Sequence, residues 1–154
     1  MTIENDIAFL EQVPILRQLG MAGLRIVAIG AENLAMEPGQ VLFTAGETAD
    51  GAYVVQRGSL VLKSERGGGG DIVAGPGTLL GESALLAETK RPATATAREG
   101  TAVLRISRAM FLKMLESNPD AARRLRETIS VRVDQWERDI ENVRAALTRG
   151  REPR

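Results

Sequence analysis

The chain has 154 residues with 20 basic and 20 acidic side chains, enough for one domain with a proper core and without a net field to draw nucleic acid or an anionic membrane. It contains neither cysteine nor histidine. That excludes a disulfide framework, zinc sites of the usual type, cysteine nucleophiles and every Ser-His or Cys-His catalytic pair.

The N-terminus, Met1 to Asp6, is acidic and lacks a signal-peptide pattern, and no apolar run approaches a membrane span. A soluble protein of the reducing cytoplasm is expected. From about Asp6 to Ile29, Ile7, Leu10, Val13, Leu16, Leu19, Leu24 and Val27 recur at helical intervals, with breaks expected near Pro14 and Gly20 to Gly23. From Asn33 to Ile106 the texture changes to short β-prone runs separated by turn pairs such as Pro38-Gly39, Gly46-Glu47, Asp50-Gly51 and Pro76-Gly77. The expected strands are Val41 to Thr44, Ala52 to Gln56, Leu60 to Lys63, Ile72 to Ala74, Ala93 to Ala97 and Val103 to Ile106. Short strands at this spacing predict a mainly β fold with flanking helices, here a jelly-roll barrel. Gly67 to Gly70 is expected to be a hairpin tip.

Asn118-Pro119 predicts a helix start, with an N-cap side chain followed by proline at the first helical position. The helix is expected to run to about Thr148, before Gly150. Ile129, Val133, Trp136, Ile140, Val143 and Leu147 are spaced 4, 3, 4, 3, 4, an a/d seam. Such a stripe serves either packing on its own domain or dimerisation. The helix would be about 45 Å long, longer than a small barrel needs, which favours dimerisation. The organisation expected is a barrel with N-terminal helices over 1–117, a dimerisation helix over 118–148 and a tail over 149–154.

The run from Gly81 to Ala97 carries the chemistry. A short helix opened by Gly81-Glu82 leaves its first N–H groups pointing at one spot, and an arginine following it, Arg91, can add a bidentate bond to an anion there. A carboxylate at the same place repels phosphate but accepts hydrogen bonds from sugar hydroxyls. One donor cluster and one acceptor on one loop describe a nucleotide pocket. Taken singly, Glu82 is also a first-turn acid complementing a helix dipole, and Arg91 a surface partner for Glu88. Other motifs fail. Gly81-Glu82-Ser83 begins like a nucleophile elbow, but Leu85 stands where glycine is needed and there is no histidine. Gly75-Pro76-Gly77 begins like a dinucleotide fingerprint, but Leu80 occupies its last glycine position.

These residues resemble the phosphate-binding cassette of the cyclic-nucleotide-binding domain family, which includes catabolite-activator-type regulators, protein kinase regulatory subunits and nucleotide-gated channels. Gly81, Glu82, Ala84, Leu85, Arg91, Ala93 and Thr94 fall in register with it. The resemblance extends upstream through Pro38 to Phe43, Gly46-Glu47, Asp50 to Val55 and Gly58, and downstream through Phe111-Leu112 and Asn118-Pro119. It implies a jelly roll with N-terminal helices and a long C-terminal helix. It also implies a ligand site of Gly81, Glu82, Ser83, Ala84, Leu85, Arg91, Pro92 and Ala93. Glu82 would take the ribose hydroxyl, and Arg91 with the N–H groups from Ser83 to Leu85 the cyclic phosphate. Val61, Val73 and Leu80 are expected to wall the pocket. Pro92 departs from the family pattern, since proline offers neither N–H nor hydroxyl. Its missing hydroxyl favours cyclic AMP, with cyclic GMP the alternative. Thr128 matches a hydroxyl residue that touches the purine, and reads equally as a polar residue on a helix face.

The resemblance implies a non-enzymatic regulator with no metal and no cofactor beyond its ligand, dimeric through the C-terminal helix. Only Arg149 to Arg154 follow that helix, too few for a groove-reading module, so DNA is not an expected partner; without an apolar span or net positive charge neither is a membrane, and the output is expected to pass through another protein. A second reading keeps the barrel and loses the ligand, leaving a dimeric protein-interaction module. Pro92 is its support.

Overall fold

A computed structural model describes residues 3–64 and 71–128. The opening apolar pattern forms three helices: α1 (Ile3–Glu11), α2 (Pro14–Arg17) and α3 (Gly20–Gly30). Pro14 takes the first position of α2, where its missing N–H would have had no helical partner. The second break falls at Gln18 and Leu19 and does not extend to Gly23, which lies inside α3. A Cβ on Gly23 would stand 2.9 Å from Leu19 Cβ and 3.3 Å from Met114 Sδ, so its absence lets α3 lie close on a later helix.

Ten strands follow among the described residues: β1 (Glu32–Met36), β2 (Val41–Phe43), β3 (Thr48–Ala49), β4 (Gly51–Arg57), β5 (Leu60–Ser64), β6 (Ile72–Ala74), β7 (Leu79–Leu80), β8 (Thr89–Lys90), β9 (Ala93–Ala97) and β10 (Thr101–Ser107). Six are the strands expected from sequence. The other four, β1, β3, β7 and β8, exist through long-range pairing: β1 runs antiparallel to β10, β3 to β8 and β7 to β4. One four-stranded sheet has the order β1-β10-β4-β7, a second β2-β9-β5-β6, and β3-β8 forms a two-stranded ribbon. The fold is mainly β with flanking helices, a jelly roll whose strands make two facing sheets and a ribbon rather than one closed barrel.

Two apolar layers hold it together. Between the sheets lie Met36, Phe43, Val55, Leu60, Ala74, Leu80, Ala95, Ala97 and Val103. On the outer side of the first sheet, Ala52, Val54, Leu104 and Ile106 pack against Leu10, Leu16, Leu24, Val27, Phe111 and Met114 from the helices. β4 and β10 are therefore buried on both faces, and Val54, Val55, Val103 and Leu104 are all fully enclosed. Strand alternation also sorts the second sheet. Leu60 and Leu62 face the inter-sheet core. Val61 pairs with Val73 and Thr96 on the opposite face, and Val73 is 49% exposed. Of the residues expected to wall the pocket, Val61 and Val73 thus face away from the inter-sheet core, whereas Leu80 faces into it.

After β10 comes α4 (Arg108–Ser117), capped by Ser107, whose Oγ accepts from the Met110 N–H. A further helix, α5, begins at Pro119, as expected, and is described over 119–128. Its start differs in one respect from expectation. The Ala122 N–H donates to the Asn118 carbonyl at 3.0 Å, but the Asn118 side-chain Nδ2 turns back to the Met114 carbonyl at 3.0 Å. Asn118 thus closes α4 with its side chain and opens α5 with its backbone. Ala121 and Leu125 bury α5 in the helical layer. Gly67 to Gly70, the seam from Ile129 to Leu147 and the tail 149–154 lie outside the described residues. No helix among the described residues is long and apolar enough to cross a membrane.

Candidate functional site

The cassette connects β7 to β9 by way of β8. Gly81 sits in the left-handed region (φ 82, ψ 33), which side chains rarely adopt. A Cβ there would also collide with the Arg91 guanidinium. The short helix expected here is one turn of 3₁₀ helix, Glu82–Leu85. Its first closing bond runs from the Ala84 N–H to the Gly81 carbonyl at 2.9 Å, and Leu86 and Ala87 both donate to the Ser83 carbonyl. The Ala84 N–H is therefore already engaged. Ala84 and Leu85 are buried, Leu85 within the helical layer, and they fasten the turn from below. Glu82 is half-buried and Ser83 exposed.

Arg91 is only 5% exposed, which dismisses the reading of it as a surface partner for Glu88. Its backbone is held on both sides: its N–H donates to the Glu47 carbonyl and its carbonyl accepts from the Gly46 N–H, each at 2.8 Å. Its side chain turns inward. Nη2 donates to the Gly51 carbonyl at 2.9 Å, while Nε and Nη1 are buried without a hydrogen-bond partner. The guanidinium carbon lies 4.5 Å from the centre of the Phe43 ring and 5.4 Å from that of Tyr53. Burial lowers the Arg91 pKa, opposed by Tyr53, Asp50 and Glu47. An arginine so placed stays charged at any physiological pH. A buried cation with two idle donors is costly, and in a native protein it calls for an explanation.

Asp50 and Thr94 are committed elsewhere. Asp50 Oδ2 is 2.7 Å from Arg105 Nη2, and Glu32 lies 3.6 Å from the same guanidinium. Burial acts to lower the Arg105 pKa, but Asp50, the Tyr53 hydroxyl and Glu32 more than offset it and the net shift is upward. Thr94 Oγ1 accepts from the Ala45 N–H at 2.9 Å. Pro92 is exposed, and Ala93 opens β9 opposite Ser64. Arg108, the first residue of α4, reaches Nη1 to the carbonyls of Ala49 (3.1 Å) and Ala84 (3.3 Å), tying the helix to the cassette turn.

The structure thus brings Gly81 and Arg91 into contact within the cassette that also carries Glu82, Ser83, Ala84, Leu85, Pro92 and Ala93. Thr128 sits on α5, where its Oγ1 donates to the Arg124 carbonyl at 2.9 Å. Sequence reasoning assigned no role to Phe43, Tyr53, Gly51 or Arg108. Phe43 and Tyr53 are two of the chain's few aromatics, but their places in sequence do not show that they meet.

The glycine-opened turn and the buried Arg91 guanidinium, with Nε and Nη1 uncommitted, thus lie against each other. Residues 34–118 match the family model for the cyclic nucleotide-binding domain, more than half of the chain. The chain belongs to the cyclic nucleotide-binding domain family. Among curated relatives, a cAMP-dependent protein kinase regulatory subunit from Yarrowia lipolytica is 32% identical over 107 residues, 70% of this chain and 28% of that protein. A lysophospholipase from Chaetomium globosum is 30% identical over 105 residues, 66% of this chain but 7% of that protein. The chain thus spans well under half the length of the curated relatives it matches. A cyclic nucleotide-binding-like protein from Brucella abortus has a solved structure with 38% identity and a TM-score of 0.64, covering 73% of this chain and 98% of that one. The N-terminal domain of a transcriptional regulator from Streptomyces coelicolor shares the fold at a TM-score of 0.76 with 24% identity, covering 86% and 94% of the two chains.

Proposed function

We propose that this cyclic nucleotide-binding domain is a non-enzymatic cytoplasmic regulator whose ligand is cyclic AMP and whose output passes to a protein partner through a dimer. The observation that carries the reading is Arg91: a buried cation with Nε and Nη1 uncommitted, facing the turn at Gly81. A cyclic phosphate supplies the two acceptors these donors lack. Glu82 then accepts the ribose hydroxyl, and the Ser83 N–H, ahead of the first closing bond of the turn, adds a donor to the phosphate. Pro92 gives no hydrogen bond, which weakens the site by roughly 1–3 kcal/mol against a cassette with a donor there. It gives no hydroxyl either, which favours cyclic AMP over cyclic GMP. Thr128 serves the purine if α5 is carried to the pocket of either protomer.

Calorimetric titration tests the reading. Cyclic AMP should bind, cyclic GMP more weakly, and Arg91→Ala should cost at least about tenfold in affinity, the equivalent of one lost charge-assisted hydrogen bond. Binding that survives Arg91→Ala unchanged would remove the site assignment. No binding near millimolar would remove the ligand and leave a protein-interaction module.

A further inference from the structure

Once the site is read as a nucleotide pocket, one question remains: what keeps Arg91 buried and aimed when the pocket is empty. Nη2 has the Gly51 carbonyl, and no other hydrogen bond holds the guanidinium. Of the two carboxylates that act on it, Asp50 is taken by Arg105, and Glu47 makes no hydrogen bond to the guanidinium. What does lie against Arg91 is aromatic. Phe43 on β2 and Tyr53 on β4 come from different sheets, and their ring centres stand 5.8 Å apart with planes inclined at 31°. The guanidinium lies within cation–π range of both. On its other side Gly81, lacking a Cβ, leaves room for Nη1.

We propose that Phe43 and Tyr53 are positioning residues that hold the Arg91 guanidinium over their rings, so that Nε and Nη1 stay uncommitted and already ordered for an anion. The ring faces carry negative potential, which compensates the buried charge without occupying its donors. A carboxylate in their place would compensate the charge but compete with the phosphate for the same N–H groups. The aromatic clamp leaves them open, and an arginine fixed in place loses less freedom when the ligand arrives.

The clamp rests on the proposed site, but it is tested first without any ligand. Urea unfolding is measured for Phe43→Leu, Arg91→Met and the double variant. Phe43→Leu loses packing in either background, so the cycle isolates the ring–guanidinium interaction. The midpoint loss caused by Phe43→Leu should fall by about half when Arg91 is already methionine. Additive losses would overturn the clamp. Should Phe43→Leu fail to fold, the same cycle with Tyr53→Leu decides. Calorimetry with cyclic AMP supplies the readout that packing alone would not move. Phe43→Leu should weaken binding about tenfold, and Phe43→Tyr, which keeps a ring face, should restore it to within about twofold. Equal affinity for the leucine and tyrosine variants would also overturn the proposal. If cyclic AMP fails to bind the unaltered protein, the nucleotide reading falls, and the cycle still decides the clamp.

Discussion

At the scale of single residues, the site is organised by a conflict between stability and readiness. A guanidinium 5% exposed with one hydrogen bond destabilises the empty fold relative to an apolar side chain of similar shape. Arg91→Met should therefore leave the ligand-free protein as stable as before or up to about 2 kcal/mol more stable, even as anion binding disappears. Chemical denaturation without nucleotide checks this, and a large loss of stability would mean that Arg91 is a structural rather than a ligand-seeking group. Gly81 and Arg91 were legible in the sequence because the cassette is contiguous and its order of residue types is distinctive. Phe43 and Tyr53 were not, because they come from separate strands that long-range pairing brings together. The engagement of Ala84 with Gly81 was also invisible, since residue type does not separate a 3₁₀ turn from the first turn of an α-helix.

At the scale of elements, the two-residue strands were beyond reach. β9 alternates well enough to be read, whereas β3, β7 and β8 cannot show a period. β1 escaped notice because only Met36 among its five residues is buried. α4 was missed because its fully buried contacts reduce to Phe111 and Met114, a single three-residue step. Yet α4 matters to the site: Arg108 at its start binds the Ala84 carbonyl, and Asn118 at its end begins α5. α5 in turn is fastened by Leu125, 1% exposed, and by Arg124 Nε donating to the Gln18 carbonyl at 2.9 Å. Leu125→Ala should cost about 2–5 kcal/mol if α5 unfolds with the rest of the domain. A much smaller loss in denaturant, with α5 amides exchanging early, would show that this helix opens independently.

On the scale of the whole molecule, the jelly roll places the cassette between the inter-sheet core and the helical layer, so the turn that would hold a ligand also touches the helix leading to α5. The seam of Ile129, Val133, Trp136, Ile140, Val143 and Leu147 follows in sequence outside the described residues, and its reading as a dimer interface is a proposal founded on spacing. Sedimentation should find a dimer at tens of micromolar. Replacing Trp136 and Ile140 together by glutamate should yield a folded monomer, because like charges would meet across the two-fold axis. A monomeric unaltered protein would turn the seam into an intramolecular face.

The idle donors of Arg91 also bear on the chain's history. Mutation supplies uncharged replacements at any codon, and where an empty pocket gains stability from one, a lineage with no use for the ligand has nothing to hold the arginine back from drift. Arginine at 91, still buried, still paired with a glycine that leaves it room and still lacking partners for two nitrogens, is the residue such drift would remove first. Loss of this arginine from related chains would mark a relic, and its retention in them a pocket in use.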